Sequence, residues 1–211
     1  MIASIRALTD LPDWIAEDLE DCGIDLAQSQ RTMVDLMQSH AWRLDAMVSG
    51  LLTYSQIGRL QEIKEIETRT TLRDSLKALT MLYPEITMTS RLAKAEVFMG
   101  ETDPQQLINI LVSNAVKHHP TSIPNVSVWS FASQDFWELH VSDDGTGIPA
   151  HLRDIVFKPM FKLRSHDKNE GGGMGLAIAR KIVARYNGTV SINGTPGTSN
   201  GTVFMVRIPM G

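Results

Sequence analysis

Three glycine-bearing segments and one interrupted helix carry the residue types from which chemistry could be built. The first runs Val141-Ser142-Asp143-Asp144-Gly145-Thr146-Gly147-Ile148. An acidic pair closes an alternating apolar run. Two glycines then let the backbone turn sharply and pass close to a ligand. The second, Gly171-Gly172-Gly173-Met174-Gly175-Leu176, opens a helical pattern. Backbone amides at a glycine-rich helix start form an anion site, and phosphate is its natural occupant. Taken alone, the same glycines suit a flexible turn equally well. This segment is not a Walker A loop, because no Gly-Lys-Ser/Thr follows. It is not a Rossmann fingerprint either, because it follows a loop and not a strand. The third segment is Gly201-Thr202-Val203-Phe204. The fourth feature is Asn114, which interrupts the apolar run of a helix expected over 104–118. An amide there needs a partner, and a satisfied core asparagine is the plain alternative. Lys117 and His118 put positive charge at the same helix end, which suits phosphates and a magnesium ion.

These residues need a scaffold, and its elements can be read from pattern. Leu72–Leu82 reads as a helix, and Ile86–Thr89 and Ala95–Met99 as β runs. The helix over 104–118 has Asp103 placed to cap it and Pro104 at its first position. Val126–Ala132 and Trp137–Ser142 alternate as strands. A loop-rich stretch covers 143–173 and a helix follows over 175–186. Thr189–Asn193 and Thr202–Pro209 form a closing hairpin. The expected class is α+β: an α/β sandwich, mostly antiparallel sheet with helices on one face.

The N-terminal part differs in kind. Residues 1–64 carry five basic and ten acidic side chains, net −5, and the rest is near neutral. Ile5, Leu8, Ile15, Leu19 and Cys22 recur at helical spacing, with Trp14 nearby and Gly23 as a stop. A second helix starts near Gln28. Met33, Met37, His40, Leu44, Met47, Leu51 and Tyr54 alternate in steps of four and three, a coiled-coil seam. Leu36, Val48 and Leu52 widen the stripe, as in a four-helix bundle. Two helices cannot close such a core, so a homodimer of two hairpins is expected. On the seam, His40 is expected to be packed, and the methionines to be core. Polar residues from Gln61 to Arg69 mark a boundary, giving domains 1–64 and 65–211, with the second helix continuing through it as a rigid linker.

Composition excludes several classes. In 211 residues, 43% are hydrophobic and 21% charged, enough for a buried core. The net charge of −4 argues against nucleic-acid binding. The single cysteine, Cys22, supports neither a disulfide framework nor a thiolate zinc site. His118, His119 and His166 lack zinc spacing. No stretch approaches the roughly 20 apolar residues of a membrane span. A cytoplasmic segment without membrane contact is the expectation.

The four chemical features, in this order and spacing, resemble the ATP-binding domain of sensor histidine kinases, the Bergerat fold shared with type II topoisomerases, MutL-type repair proteins and heat-shock chaperone ATPases. Leu107–His118 is similar to the N box, Asp143–Gly147 to G1, Phe157–Phe161 to the F box, Gly171–Gly175 to G2 and Gly201–Phe204 to G3. Leu51–Arg59 is similar to the end of the kinase dimerisation and phosphoacceptor hairpin, so the resemblance covers nearly the whole chain. It implies ATP and Mg as ligands. Asp143 would accept from the adenine amino group, with Gly145 and Gly147 letting the chain pass the base. Asn114 would hold the Mg, and Lys117 or His118 would touch phosphate, so that Asn114 and Lys117 serve catalysis. Gly171, Gly173 and Gly175 would cradle phosphate, with Leu176 and Thr202 completing the site. Residues 158–170 would form the ATP lid, anchored by Phe157 and Phe161, with Lys162 and Arg164 available to neutralise the transferred group. Met160 replaces a frequent second aromatic. Ile110 stands where the N box often has an asparagine, and Asn109 is one place off.

The departure lies at the start. The family's H box reads approximately Ser-His-Asp/Glu-Leu/Ile-Arg-x-Pro. Here Ala3-Ser4 runs directly into Ile5-Arg6-Ala7, and Leu8 stands for the proline. A two-residue gap between Ser4 and Ile5 aligns both flanks, so the missing pair corresponds to the phosphoacceptor histidine and its neighbouring acid. The resemblance implies γ-phosphoryl transfer to histidine and then to an aspartate of a response regulator. Autophosphorylation of this chain is expected to be impaired. The alternative is a degenerate kinase-like phosphotransfer or scaffold module that docks a response regulator. A third reading, a Bergerat-fold serine kinase or mechanical ATPase, is disfavoured by the kinase-type hairpin.

Overall fold

A computed structural model describes residues 2–23, 27–59, 61–121, 123–163, 172–193 and 201–210, with the side chains of 2–9 and 20 left aside. Two helices, α1 (Ile2–Asp21) and α2 (Gln28–Gln56), form the N-terminal hairpin. Gly23, at φ +73°, takes the left-handed turn that ends the first helix. Gln38 Nε2 donates to both Asp13 carboxylate oxygens at 2.9 and 2.8 Å across the pair. The seam remains open to solvent within one chain: Met33, Leu36, Met37, Leu44 and Leu51 are all exposed. His40 is exposed with them and is not packed within one chain.

The second helix does not run on as a linker. It ends at Gln56, and Gly58 turns the chain at φ +89°. The polar stretch after it is strand β1 (Ile63–Glu67), which pairs antiparallel with β3 (Glu96–Gly100). The polar look has a local cause: Ile66 is the strand's only fully buried residue. Helix α3 (Thr68–Leu82) starts four residues earlier than the pattern predicts. The reason is Glu67, whose carboxylate accepts from the backbone of Arg69 and Thr70 at 3.1 and 3.0 Å. The Thr70 hydroxyl bond, with these, holds the Glu67 carboxyl below its ordinary value.

The main sheet has the order β2-β4-β5-β7-β6, with β2 (Thr87–Arg91), β4 (Asn125–Ala132), β5 (Phe136–Asp143), β6 (Thr189–Asn193) and β7 (Val203–Pro209). Only the β2–β4 pair is parallel. Helices α4 (Asp103–Lys117) and α5 (Gly175–Arg185) pack on one face, and α3 packs on α4. The alternation of burial fits a sheet covered on one side: Val126, Val128, Leu139, Val141, Phe204, Val206 and Ile208 are buried in the core. The opposite face carries Trp129 stacked on His140 at 5.1 Å. The fold is therefore α+β, mostly antiparallel, with its helices on one side.

Asp103 is not the cap of α4. Thr102 takes that place, and Asp103 is buried inside the helix. Its carboxylate accepts from the Tyr186 hydroxyl and, at 3.3 Å, from Gln61 Nε2. Burial and this bond push the Tyr186 phenol up to about 12. Gln61, just before β1, is thereby tied to the far end of α5, where Arg185 Nη2 also donates to its carbonyl.

Candidate nucleotide-binding site

A cleft of about 440 Å³ opens between the C-terminal half of α4, the loop after β5 and the start of α5. That size suits a small-molecule ligand. One wall is α4. Its apolar face, Leu107, Ile108, Leu111 and Val112, is fully buried. Rotation along the helix then brings Ile110, Asn114, Lys117 and His118 to the cleft. Asn114 is half-buried, and Lys117 and His118 are exposed at the rim. Asn109 lines a separate groove with Leu79 and Tyr83. The neighbouring position that reaches the cleft is therefore filled by Ile110, and α4 brings one asparagine amide to this wall.

The floor is the end of β5. Asp143 is buried, and its Oδ1 accepts from the backbone of Gly145 at 2.9 Å and of Thr202 at 3.2 Å. Burial pushes the Asp143 carboxyl above its ordinary value, while these backbone donors pull the other way. Asp143 N–H in turn donates to the Thr202 carbonyl at 3.0 Å. Gly201 makes this crossing possible. It sits at φ +113°, and a Cβ there would lie 1.7 Å from the Asp143 carbonyl oxygen. A Cβ on Gly145 would lie 2.9 Å from Asp143 Oδ1, so that glycine keeps the floor open.

The third wall is the turn into α5. Gly173 adopts φ +68°, and a Cβ on it would meet the Met160 backbone at 2.9 Å. Met160 itself has φ +62°, a left-handed conformation unusual for a residue with a side chain. Gly175 differs: a Cβ there would make only an ordinary 3.5 Å contact with Ile110. With Leu176, both glycines line the cleft at a helix N-terminus, where backbone amides attract anions. Gly171 and Arg164 lie outside the described residues, as does most of the segment expected to form a lid.

The F-box aromatics divide. Phe157 is buried and meets Phe204 edge-on at 6.4 Å, so it anchors the segment in the core. Phe161 is half-buried and lines the cleft together with Lys162.

The sequence reading missed two contributors. His119 lines the cleft behind the Asp143 loop, and the second hairpin helix adds Ala46 and Gly50. A Cβ on Gly172 would lie 2.8 Å from the Ala46 carbonyl, and one on Gly50 would lie 2.6 Å from Met174 Cβ. Hairpin and glycine loop therefore pack closely where a glycine on one side meets Met174 or the Ala46 backbone on the other. Lys181 fastens the contact, donating to the Tyr54 carbonyl at 2.5 Å with its ammonium 4.2 Å from that ring's centroid. The glycine at position 50 was the available signal, but its partner lies more than a hundred residues away.

The cleft combines a buried carboxylate acceptor, glycine-opened backbone and a helix N-terminus, a set that suits a nucleobase amino group at one end and phosphates at the other. Residues 99–211, just over half of the chain, match the family described as histidine kinase-, DNA gyrase B-, and HSP90-like ATPase. The chain belongs to that family. It is similar to the sensor histidine kinase RcsC of Escherichia coli strain K12, 28% identical over 197 residues that cover 88% of this chain and 20% of RcsC. Its structure is similar to full-length ShkA in complex with AMPPNP, with a TM-score of 0.70 and 18% identity, covering 99% of this chain and 43% of that one. It is also similar to histidine kinase ThkA in complex with response regulator protein TrrA, with a TM-score of 0.68 and 20% identity, covering 99% and 59%. Both likenesses extend over the hairpin as well as the sandwich. The chain spans about a fifth of the length of RcsC.

Proposed function

We propose that this chain binds Mg-ATP in the cleft and works as the core of a sensor histidine kinase. The observation that carries this reading is the convergence on one cleft of Asp143, Asn114, Lys117 and the Gly173–Gly175 turn. The Asp143 carboxylate accepts from the adenine amino group, which discriminates against guanine, whose carbonyl oxygen would face it instead. Thr202 and Gly145 hold that carboxylate in place. The α5 amides, the Lys117 and Lys162 ammonium groups and the His118 ring face the phosphates. Among the described residues no group of three or more His, Cys, Asp or Glu could hold a metal ion. The Asn114 amide oxygen is the side-chain donor in the cleft that would hold Mg. When bound, Mg supplies charge neutralisation.

With an H-box histidine and its neighbouring acid supplied, a bond would form from histidine nitrogen to the γ-phosphorus as the bond from that phosphorus to the bridging oxygen breaks, releasing ADP, and the imidazole proton would pass to the acid. This chain carries neither group between Ser4 and Ile5. The cleft's contribution is positioning and charge neutralisation. The phosphoryl group then moves to an aspartate of a response regulator. The helices up to Gln56 act as the dimerising hairpin and the chain from Ile63 onward as the ATP-binding unit, with 57–62 between α2 and β1 as the joint, so the boundary falls just before β1 and not within it at residue 64. Among the described residues no helix is long and apolar enough to cross a membrane, and we place this segment's work in the cytoplasm.

No histidine stands at the H-box position, so this chain should bind ATP without labelling itself. Incubation with γ-labelled Mg-ATP tests this beside a version carrying His-Asp inserted between Ser4 and Ile5. Acid-labile label on the insertion version alone is the expected result. Label on neither, with ATP binding intact, would favour the scaffold reading.

A further inference from the structure

We propose that His119 is a positioning residue for the adenine end of the cleft, holding through Asp144 the loop that follows Asp143 at the end of β5. The inference rests on the adenine reading of Asp143 given above. His119 follows the C-terminal end of α4, and its side chain is 4% exposed. Its Nε2 lies 2.8 Å from Asp144 Oδ1. The Asp144 carboxylate also accepts from the Asn125 backbone at 2.8 Å and from Asn125 Nδ2 at 2.5 Å. The Asn125 side chain, the largest influence, holds the Asp144 carboxyl below its ordinary value.

An ionised carboxylate can only accept, so Nε2 must carry the proton between them. The other ring nitrogen faces Thr121, whose backbone N–H lies 3.2 Å away and whose carbonyl lies 3.1 Å away. In the neutral ring the N–H donates to Nδ1, and in a charged ring Nδ1 donates to the carbonyl. The Nε2–Asp144 bond survives in both. The ring also lies close to the loop, where a Cβ on Gly145 would be 3.3 Å from His119 Cδ2.

His119 therefore joins two parts of the cleft that no strand pairing joins directly. One is α4, which carries Asn114 and Lys117. The other is the loop that follows Asp143. Fixing their separation fixes the span between the base end and the phosphate end. Without this bond, Asp143 keeps its backbone partners and α4 its packing on β5, but the loop after Asp143 loses its side-chain tie to the end of α4.

The test compares affinities for Mg-ATP, Mg-GTP and inorganic tripolyphosphate in the full chain, in His119→Leu and in His119→Gln. Leucine keeps bulk and removes the donor; glutamine restores an N–H. His119→Leu should lose about tenfold in ATP affinity, the worth of one charge-assisted hydrogen bond. Its preference for ATP over GTP should shrink by the same factor, with tripolyphosphate binding unchanged. His119→Gln should recover most of the loss. An unchanged preference in His119→Leu, an equal loss for tripolyphosphate, or no recovery in His119→Gln would overturn the proposal. A wild-type chain that binds ATP no better than GTP would overturn the adenine reading as well, so the two failures are told apart. Should His119→Leu not fold, the ¹⁵N resonances of the wild-type ring decide: a proton on Nε2 is expected, and a neutral ring protonated only at Nδ1 would overturn the proposal.

Discussion

The hairpin and the sandwich handle their apolar residues in opposite ways. In α4, Leu107, Ile108, Leu111 and Val112 are 0% exposed, sealed between sheet and helices of the same chain. In α2, Met33 is 63% exposed, Leu44 54% and Leu51 49%, although their spacing is that of a packed seam. Burying such a side chain is worth about 1.5–3 kcal/mol. The sandwich collects that gain within one chain, whereas the hairpin needs a second surface to collect it. A domain that seals its own core is thus joined to a hairpin whose apolar seam stays open within one chain. The two meet at Gly50 and Gly172, beside the proposed phosphate cradle.

The largest expected effect strikes the sandwich alone. Gly201→Ala places a Cβ against the Asp143 carbonyl and should cost about 3 kcal/mol or more. Denaturant unfolding should show the sandwich transition moved or lost while hairpin helicity persists. A wild-type midpoint would mean that the β7 crossing has room to spare. Next, Leu44→Asp should spare the sandwich and weaken self-association by about 100-fold, the scale of an interface anchor. Sedimentation equilibrium measures this, and unchanged association would place the dimer contact elsewhere.

A smaller change separates the two regions at their contact. Lys181→Met removes the donor to the Tyr54 carbonyl, worth about 1 kcal/mol. Amide exchange over residues 50–57 should quicken several-fold while core strands keep their protection. The smallest effect concerns pH. Burial raises the Asp143 carboxyl, so its contribution to stability is full below the unfolded pKa and is lost as pH rises through the folded one. Asp143→Asn keeps an acceptor without the charge. At neutral pH, without nucleotide, it should be slightly more stable than wild type, and the gain should vanish in acid. Melting curves at both pH values check the sign.

How far the sequence could be read follows the same division. The strands of the sandwich and helices α4 and α5 were legible to within about a residue or two, because alternation and helical spacing there report burial within the chain. The polar stretch after α2 was not. A strand buried at Ile66 alone gives no alternation to see, and Glu67 is not among the residues that usually cap helices. In the cleft, Asp143, Asn114 and the glycines were visible because each breaks a local pattern. Ile110 could be named, but only geometry shows that it fills the place beside Asn114. His119 gave no signal, since its partner Asp144 lies 25 positions away. Asp103 reads as a cap in the sequence because its partners, Gln61 and Tyr186, lie 42 positions before it and 83 after it.

The central claim is that the Asp143 cleft is an adenine-nucleotide site. Calorimetric titration of Mg-ATP into the chain and into Asp143→Asn tests it most directly. Saturable binding at one site per chain is expected, weakened by about 10- to 100-fold in the variant, the range for a hydrogen bond to a charged group. No saturable binding to the wild-type chain, or equal binding to both proteins, would contradict it.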